Sequence, residues 1–237
     1  MLKLRGFLFA LGFYPATLLY AIPCLLIGPL LPFKARFRFL TAINYFYIAW
    51  LRWTCGLGVE IEGREHLPQT GAYVVLANHQ SEWETLYFQL LIRPQAVVLK
   101  QELLKIPFFG WALRLLEPIA LDRSQRREAL RQLLEQGRDK LEQGIPVLIF
   151  PQGTRVKAGE TGRFNKGGTL LAQASGVPII PMVHNAGRFW PGKSFIKYPG
   201  KVQLRIGAPI ATAGRSADEV QAEVVAWMQA QMQALGA

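Results

Sequence analysis

The sequence predicts an α/β fold: a largely parallel central sheet flanked by helices, preceded by an N-terminal helical segment suited to a membrane. Three observations predict it. Seven short apolar runs, from VEIEG at 59–63 to VQLRIG at 202–207, have the length and β-branched content of strands. Helical patterns lie between several of them, the alternation that builds parallel sheets. Residues 6–33 carry no charged side chain, a stretch longer than the ~20 residues a helix needs to cross a bilayer core.

The N-terminal segment comes first. Lys3 and Arg5 precede the apolar run and Lys34 ends it. Pro15, Pro23, Pro29 and Pro32 interrupt it, which predicts a kinked span or a re-entrant pair of short helices. KARFR follows, then FLTAINYFYIAWLRW, rich in the Tyr, Trp and Phe that settle at lipid–water interfaces. The run exceeds the apolar region of a signal peptide and lacks a small-x-small cleavage site, so it is expected to stay attached. Residues 1–57 are therefore expected to form a membrane anchor, and 58–237 the α/β domain. Basic residues on both sides of the run suit a hairpin that returns to the cytoplasmic face of the inner or plasma membrane.

From residue 59 the texture changes. Candidate strands are VEIEG (59–63), AYVVLAN (72–78), AVVLK (96–100), PIALD (118–122), VLIFP (147–151), PIIPMVHN (178–185) and VQLRIG (202–207). Leu130, Leu133, Leu134 and Leu141 lie close to one face of a helix over about 126–143, with Gly144 placed to end it. Ser216 and Glu219 form a capping-box pattern ahead of a helix with Val220, Val224, Trp227 and Leu235 on one stripe.

Composition narrows the partners. The net charge is +11, 51% of residues are hydrophobic and the mean hydropathy is +0.17. A basic, apolar chain points to an anionic partner, either membrane lipid or nucleic acid. Nucleic acid fits poorly: the aromatics concentrate in the apolar N-terminal third, and no nucleic-acid-binding module is recognised. Cys24 and Cys55 show no metal-ligand spacing and are expected to be reduced.

Ligands of α/β sheets gather beyond the carboxyl ends of strands. Four polar clusters sit there: Asn78-His79 with Glu84, Asp122-Arg123, the run Phe150 to Arg155, and Pro181 with His184-Asn185. A histidine of pKa ~6.5 can take the proton of an alcohol as it attacks a carbonyl. It needs a partner, usually a carboxylate, to fix its tautomer. Glu84 is five positions on, an offset of ~140° on a regular helix, so the pair meets only if His79 sits in the turn before a helix and Glu84 in its first turn. Glu84 also fits a capping box with Ser81, and Glu82 is a second candidate partner for His79. Gly153 allows a tight turn whose N–H groups can cradle anionic oxygens, and Arg155 offers a planar fork matched to phosphate. Arg123 reads equally as the solvated start of a helix.

Together these residues resemble the glycerolipid acyltransferase family, over roughly residues 60–210. Asn78-His79-x-x-x-x-Glu84 is similar to the family's Asn-His-x-x-x-x-Asp. The stretch KQELLKIPFFGW (100–111), the Leu-Asp122-Arg123 sequence, Phe150-Pro-Gln-Gly-Thr-Arg155 and Val177-Pro-Ile-Ile-Pro181 follow in the family's order. Two positions depart from it: Glu84 replaces Asp, and Gln152 replaces Glu. The resemblance implies an O-acyltransferase in which His79 is the general base and Glu84 orients it. It implies that Arg123, Gly153, Thr154 and Arg155 hold the acceptor phosphate, and that Lys100 and Lys105 add positive potential. The implied acceptor is a lysophospholipid such as 1-acylglycerol-3-phosphate, the donor acyl-CoA or acyl-carrier protein, with no metal and no cofactor. Glycerol-3-phosphate or a lyso-ornithine lipid are alternative acceptors. A non-catalytic anionic-lipid-binding protein is the alternative of another class.

Overall fold

The computed structural model describes residues 1–122 and 124–237. Helix α1 (Leu2–Ile27) runs through Pro15 and Pro23, and a 3-10 turn at Gly28–Leu30 leads to α2 (Phe33–Thr41) and α3 (Ile43–Cys55). The apolar run forms one continuous helix through Pro15 and Pro23 in place of two short ones. A proline inside a helix costs ~3 kcal/mol through a lost hydrogen bond and a clash, but here α3 holds the flanks together. The Trp50 indole N–H lies 3.1 and 3.3 Å from the carbonyls of Leu8 and Phe9. The Thr17 hydroxyl sits 2.7 Å from the Phe13 carbonyl and 2.6 Å from the Tyr47 hydroxyl. Pro29 and Pro32 sit instead at helix starts, where the missing N–H costs nothing.

The outer face of α1 has nothing packed on it. Leu4, Phe7, Leu11, Leu18, Ile22 and Leu26 recur at helical spacing and are all exposed. The helix is long and apolar enough to cross a membrane. Its inner face joins the body: Phe9, Leu51 and Cys55 share one buried cluster with Leu57, Trp83, Trp190 and Val202. An ion pair between Arg36 and Glu117 ties α2 to the body as well.

The body alternates strands and helices: β1 (Leu57–Glu62), β2 (Val74–Ala77), α4 (Trp83–Leu91), β3 (Ala96–Lys100), α5 (Phe109–Arg114) and β4 (Ile119–Leu121). Then come α6 (Arg126–Glu142), β5 (Val147–Ile149), α7 (Gly167–Ala174), β6 (Ile179–His184), α8 (Ala186–Phe189), β7 (Gly200–Ile206) and α9 (Ala217–Leu235). The sheet order is β1-β7-β6-β2-β5-β3-β4. Its pairings are parallel except β6 with β7. β2 is central and wholly buried, which explains its continuous apolar run. Val74 and Leu76 face the cluster built with α6, α7 and α9, and Val75 and Ala77 face the one built with α4.

The helices follow the sequence pattern with two adjustments. On α6, Leu133 and Leu141 are buried but Leu130 is exposed at the rim. On α9, Val220, Val224 and Leu235 are buried while Trp227 is only partly covered. Ser216 and Glu219 make the expected reciprocal cap: the Glu219 carboxylate accepts from the Ser216 N–H at 2.9 Å and the Ser216 hydroxyl from the Glu219 N–H at 3.3 Å.

Candidate active site

Because β2, β5 and β6 are adjacent and parallel, their carboxyl ends open on one edge of the sheet. His79 leaves β2 there, in the turn before α4. Its ring stacks on Phe150 from the end of β5, with centroids 4.3 Å apart. Its Nδ1 lies 2.8 Å from Oε1 of Glu84, which sits in the first turn of α4. With Nδ1–H committed to a carboxylate, the lone pair resides on Nε2. The His79 side chain is 17% exposed whereas that of Glu84 is fully buried, so the imidazole has an accessible side and the carboxylate does not.

Half of the expected capping box forms beside the contact with His79: the Glu84 carboxylate accepts from the Ser81 N–H, while the Ser81 hydroxyl accepts from the Trp83 N–H and Glu82 is the N-cap. Oε1 also accepts from the N–H groups of Gln80 and Ser81, both at 2.8 Å. Burial alone would raise the Glu84 pKa. The hydrogen bond and charge of His79 and the Ser81 N–H act against it, and the carboxyl is held below the ordinary range. His184, at the end of β6, is fully buried 3.9 Å from Glu84 Oε2. Burial lowers its pKa below the usual histidine value. Its Nε2 lies 2.9 Å from the Asn78 carbonyl and its Nδ1 accepts from the Ala186 N–H, which describes a neutral ring. The Asn78 side chain returns two bonds to the His184 main chain, at 2.8 and 2.9 Å, clasping β2 to β6.

Glu82 turns away from His79. Two residues apart on a helix is ~200°, so Glu82 and Glu84 face opposite ways. Glu82 Oε1 lies 2.9 Å from Arg155 Nη1 and accepts from the Lys193 N–H at 3.3 Å. Arg155 thus reaches the same edge as His79, paired with a carboxylate. Gly153 adopts φ of +74°, the left-handed conformation that favours glycine, and Thr154 beside it is exposed.

The remaining sequence candidates lie further out. Lys100 ends β3, separated from β2 by β5, and pairs with Glu102 at 2.9 Å. Lys105 is exposed at the end of the Gln101–Lys105 turn. Asp122 accepts from the N–H and hydroxyl of Ser124 at 2.9 and 2.7 Å. Arg123 lies outside the described residues. Among the described residues, no group of three His, Cys, Asp or Glu side chains is placed to hold a metal ion.

Two features are not legible from the motifs. The turn after Trp190 lies on Arg155: a Cβ on Gly192 would sit 3.0 Å from Arg155 Cδ. Gln152 is 7% exposed, and its Oε1 accepts from the His79 N–H at 2.7 Å. The only sequence signal for the latter is that a glutamine stands where the resemblance has a glutamate.

Comparison with known proteins places this edge in context. Residues 58–185 match the model of the Acyltransferase family. The chain is 42% identical over 233 residues to the 1-acyl-sn-glycerol-3-phosphate acyltransferase of Pseudomonas aeruginosa, covering 97% of this chain and 90% of that one. It is 34% identical over 170 residues to the 1-acyl-sn-glycerol-3-phosphate acyltransferase alpha of Mus musculus, covering 70% of this chain and 60% of that one. The crystal structure of the 1-acyl-sn-glycerophosphate (LPA) acyltransferase PlsC from Thermotoga maritima matches with a TM-score of 0.81 at 26% identity, over 99% of this chain and 95% of that one. The chain belongs to the Acyltransferase family and is an O-acyltransferase.

Proposed function

We propose that this chain moves an acyl group from the thioester of acyl-CoA or acyl-carrier protein to the free hydroxyl of 1-acylglycerol-3-phosphate, giving phosphatidic acid. The observation that carries the reading is the His79–Glu84 pair, with an accessible imidazole face on the same edge as Arg155. The names of the Pseudomonas and Thermotoga proteins support the choice of acceptor.

The geometry supports the following chemistry. His79 Nε2 takes the proton of the acceptor hydroxyl as its oxygen attacks the thioester carbonyl. The buried Glu84 carboxylate stabilises the imidazolium that forms. The tetrahedral intermediate expels the thiolate, which recovers the proton from His79. One ester forms, one thioester breaks, and no acyl-enzyme is required. Arg155, with the 153–155 turn and Arg123, would hold the acceptor phosphate, exchanging or sharing its contact with Glu82. Lys100 and Lys105 add positive potential along the same side of the sheet.

Helix α1 and the aromatic face of α3 would keep this edge at the membrane, in the cytoplasmic leaflet, where acceptor and product reside. Lys34, Arg36, Arg38 and Arg52 suit anionic head groups. The test is a panel assay of purified chain in vesicles. Lysophosphatidate, glycerol-3-phosphate and a lyso-ornithine lipid are offered with acyl-CoA or acyl-carrier protein. Transfer fastest to lysophosphatidate supports the reading. A faster reaction with either other acceptor replaces it.

A further inference from the structure

The main chain of His79 is held on both sides by the segment that carries Gly153, Thr154 and Arg155. Its N–H donates to the Gln152 side-chain carbonyl at 2.7 Å, and its own carbonyl accepts from the Val156 N–H at 2.8 Å. The other end of the Gln152 amide donates to the Thr161 carbonyl at 2.6 Å, on the returning limb of the same loop. That limb packs closely: a Cβ on Gly162 would meet Val156 Cγ2 at 2.8 Å and Gln152 Nε2 at 3.5 Å. The base of the loop is closed by Asn165, whose N–H and side-chain amide donate to the Pro151 carbonyl at 2.9 and 2.8 Å.

We infer that Gln152 is a positioning residue, whose buried amide joins the main chain of the proposed base His79 to the far limb of the 153–162 loop. One side chain thereby sets the register between the group that takes the proton and the turn that faces the acceptor. The inference rests on the proposed function for the roles of His79 and the loop, but the linkage stands on the hydrogen bonds alone.

The residue type follows from the two bonds. The site needs an acceptor toward His79 and a donor toward Thr161, and a primary amide supplies both. An ionised carboxylate supplies only the acceptor and would face the Thr161 carbonyl with a lone pair. The departure from the family glutamate is therefore matched by the partner it meets in this chain. Each polar atom of the amide has a partner within the protein.

Two substitutions separate the ends of the amide. Gln152→Met keeps the length and removes both bonds. Gln152→Glu keeps the acceptor for the His79 N–H and removes the donor to Thr161. Amide hydrogen exchange of the full chain in detergent micelles, without substrate, reads the linkage directly. Gln152→Met is expected to speed exchange at the His79 amide and over 156–162. Gln152→Glu is expected to speed exchange over 156–162 while His79 stays protected.

In the transfer assay, displacement of a catalytic group by an ångström can cost ~10²-fold. Gln152→Met is expected to lower kcat by roughly tenfold or more. Gln152→Glu is expected chiefly to raise the KM for lysophosphatidate, by about tenfold for a misplaced charge-assisted contact. Wild-type exchange in both variants, with only the acceptor KM altered, would place Gln152 against the substrate and overturn the inference. An equal loss of kcat in both, matched by an equal fall in Tm, would reduce it to packing and also overturn it. If the wild-type chain formed no phosphatidate, the proposed acceptor would fail, and the exchange result would still decide the linkage. Should Gln152→Glu not fold, exchange and kcat of Gln152→Met decide it.

Discussion

The two longest helices solve opposite problems. Helix α9 buries Val220, Val224, Met228, Met232 and Leu235 along one stripe and turns Glu223, Gln229 and Gln233 to solvent. Helix α1 buries only Gly6, Phe9, Ala21 and Cys24, and leaves Leu11, Leu18 and Leu26 more than half exposed. A helix with one apolar stripe has been shaped by a protein core. One that is apolar all round has been shaped by apolar surroundings on every side. The first helix belongs to the sheet that aligns the site, the second to the surface where its substrates would reside. The comparison teaches that stability and attachment are carried by separate faces, joined where Phe9 meets Trp190.

The sharpest cut falls on the body. Replacing Glu84 by Gln removes the charge that supports a His79 imidazolium, and turnover is expected to fall about 10²-fold or more. Replacing Glu82 by Gln is expected to change turnover only mildly. Initial rates of the two variants check this, and equal losses would show that the carboxylates are not divided as the geometry has them.

Next come the helices themselves. Val224→Asp on α9 places a charge in a fully buried position, which costs several kcal/mol, and is expected to unfold the body. Leu18→Asp on α1 is expected to leave the Tm nearly unchanged while weakening membrane partition, since an Asp at mid-helix costs ~2.5–3.5 kcal/mol of insertion. Thermal unfolding and vesicle flotation of both variants read the two effects. Wild-type chain should resist a high-salt wash, because apolar insertion is not screened as surface charge is.

A smaller effect is expected at Arg155. Arg155→Ala should raise the KM of the phosphorylated acceptor by about tenfold, with less change for the thioester donor. Arg155→Lys should restore only part, because an ammonium lacks the planar fork. Steady-state kinetics with each substrate varied separately make the distinction.

The smallest effect is on pH stability. The Glu84 carboxyl is held below its ordinary 4.5 in the folded chain. A depressed carboxyl contributes stability that is present above its unfolded pKa and lost as pH falls through the folded value. Wild-type Tm should therefore decline more steeply than that of Glu84→Gln on acidification below pH ~4.5. Parallel declines would mean that Glu84 does not titrate as its neighbours require.

Much of this is legible in the sequence because it rests on local pattern. The seven strands follow from short apolar runs, and α6 and α9 from their spacing and caps. The meeting of His79 and Glu84 follows from a strand, a turn and a helix start within a few residues. What is not legible depends on distant packing. Gln152 meets His79 across 73 positions and Glu82 finds Arg155 on another loop. The contacts of Trp50 and Tyr47 of α3 with α1 on either side of Pro15 are likewise distant in sequence, and no rule about prolines contains them.

The most direct test of a catalytic body on a separate membrane face is His79→Ala, assayed in the same vesicles as wild type. Phosphatidate formation from lysophosphatidate and an acyl thioester is measured beside the fraction of protein bound. The expected result is a loss of ~10²–10⁴-fold in rate with unchanged binding and unchanged Tm. A folded, bound variant that keeps more than about a tenth of the wild-type rate would contradict the assignment of His79 as the base.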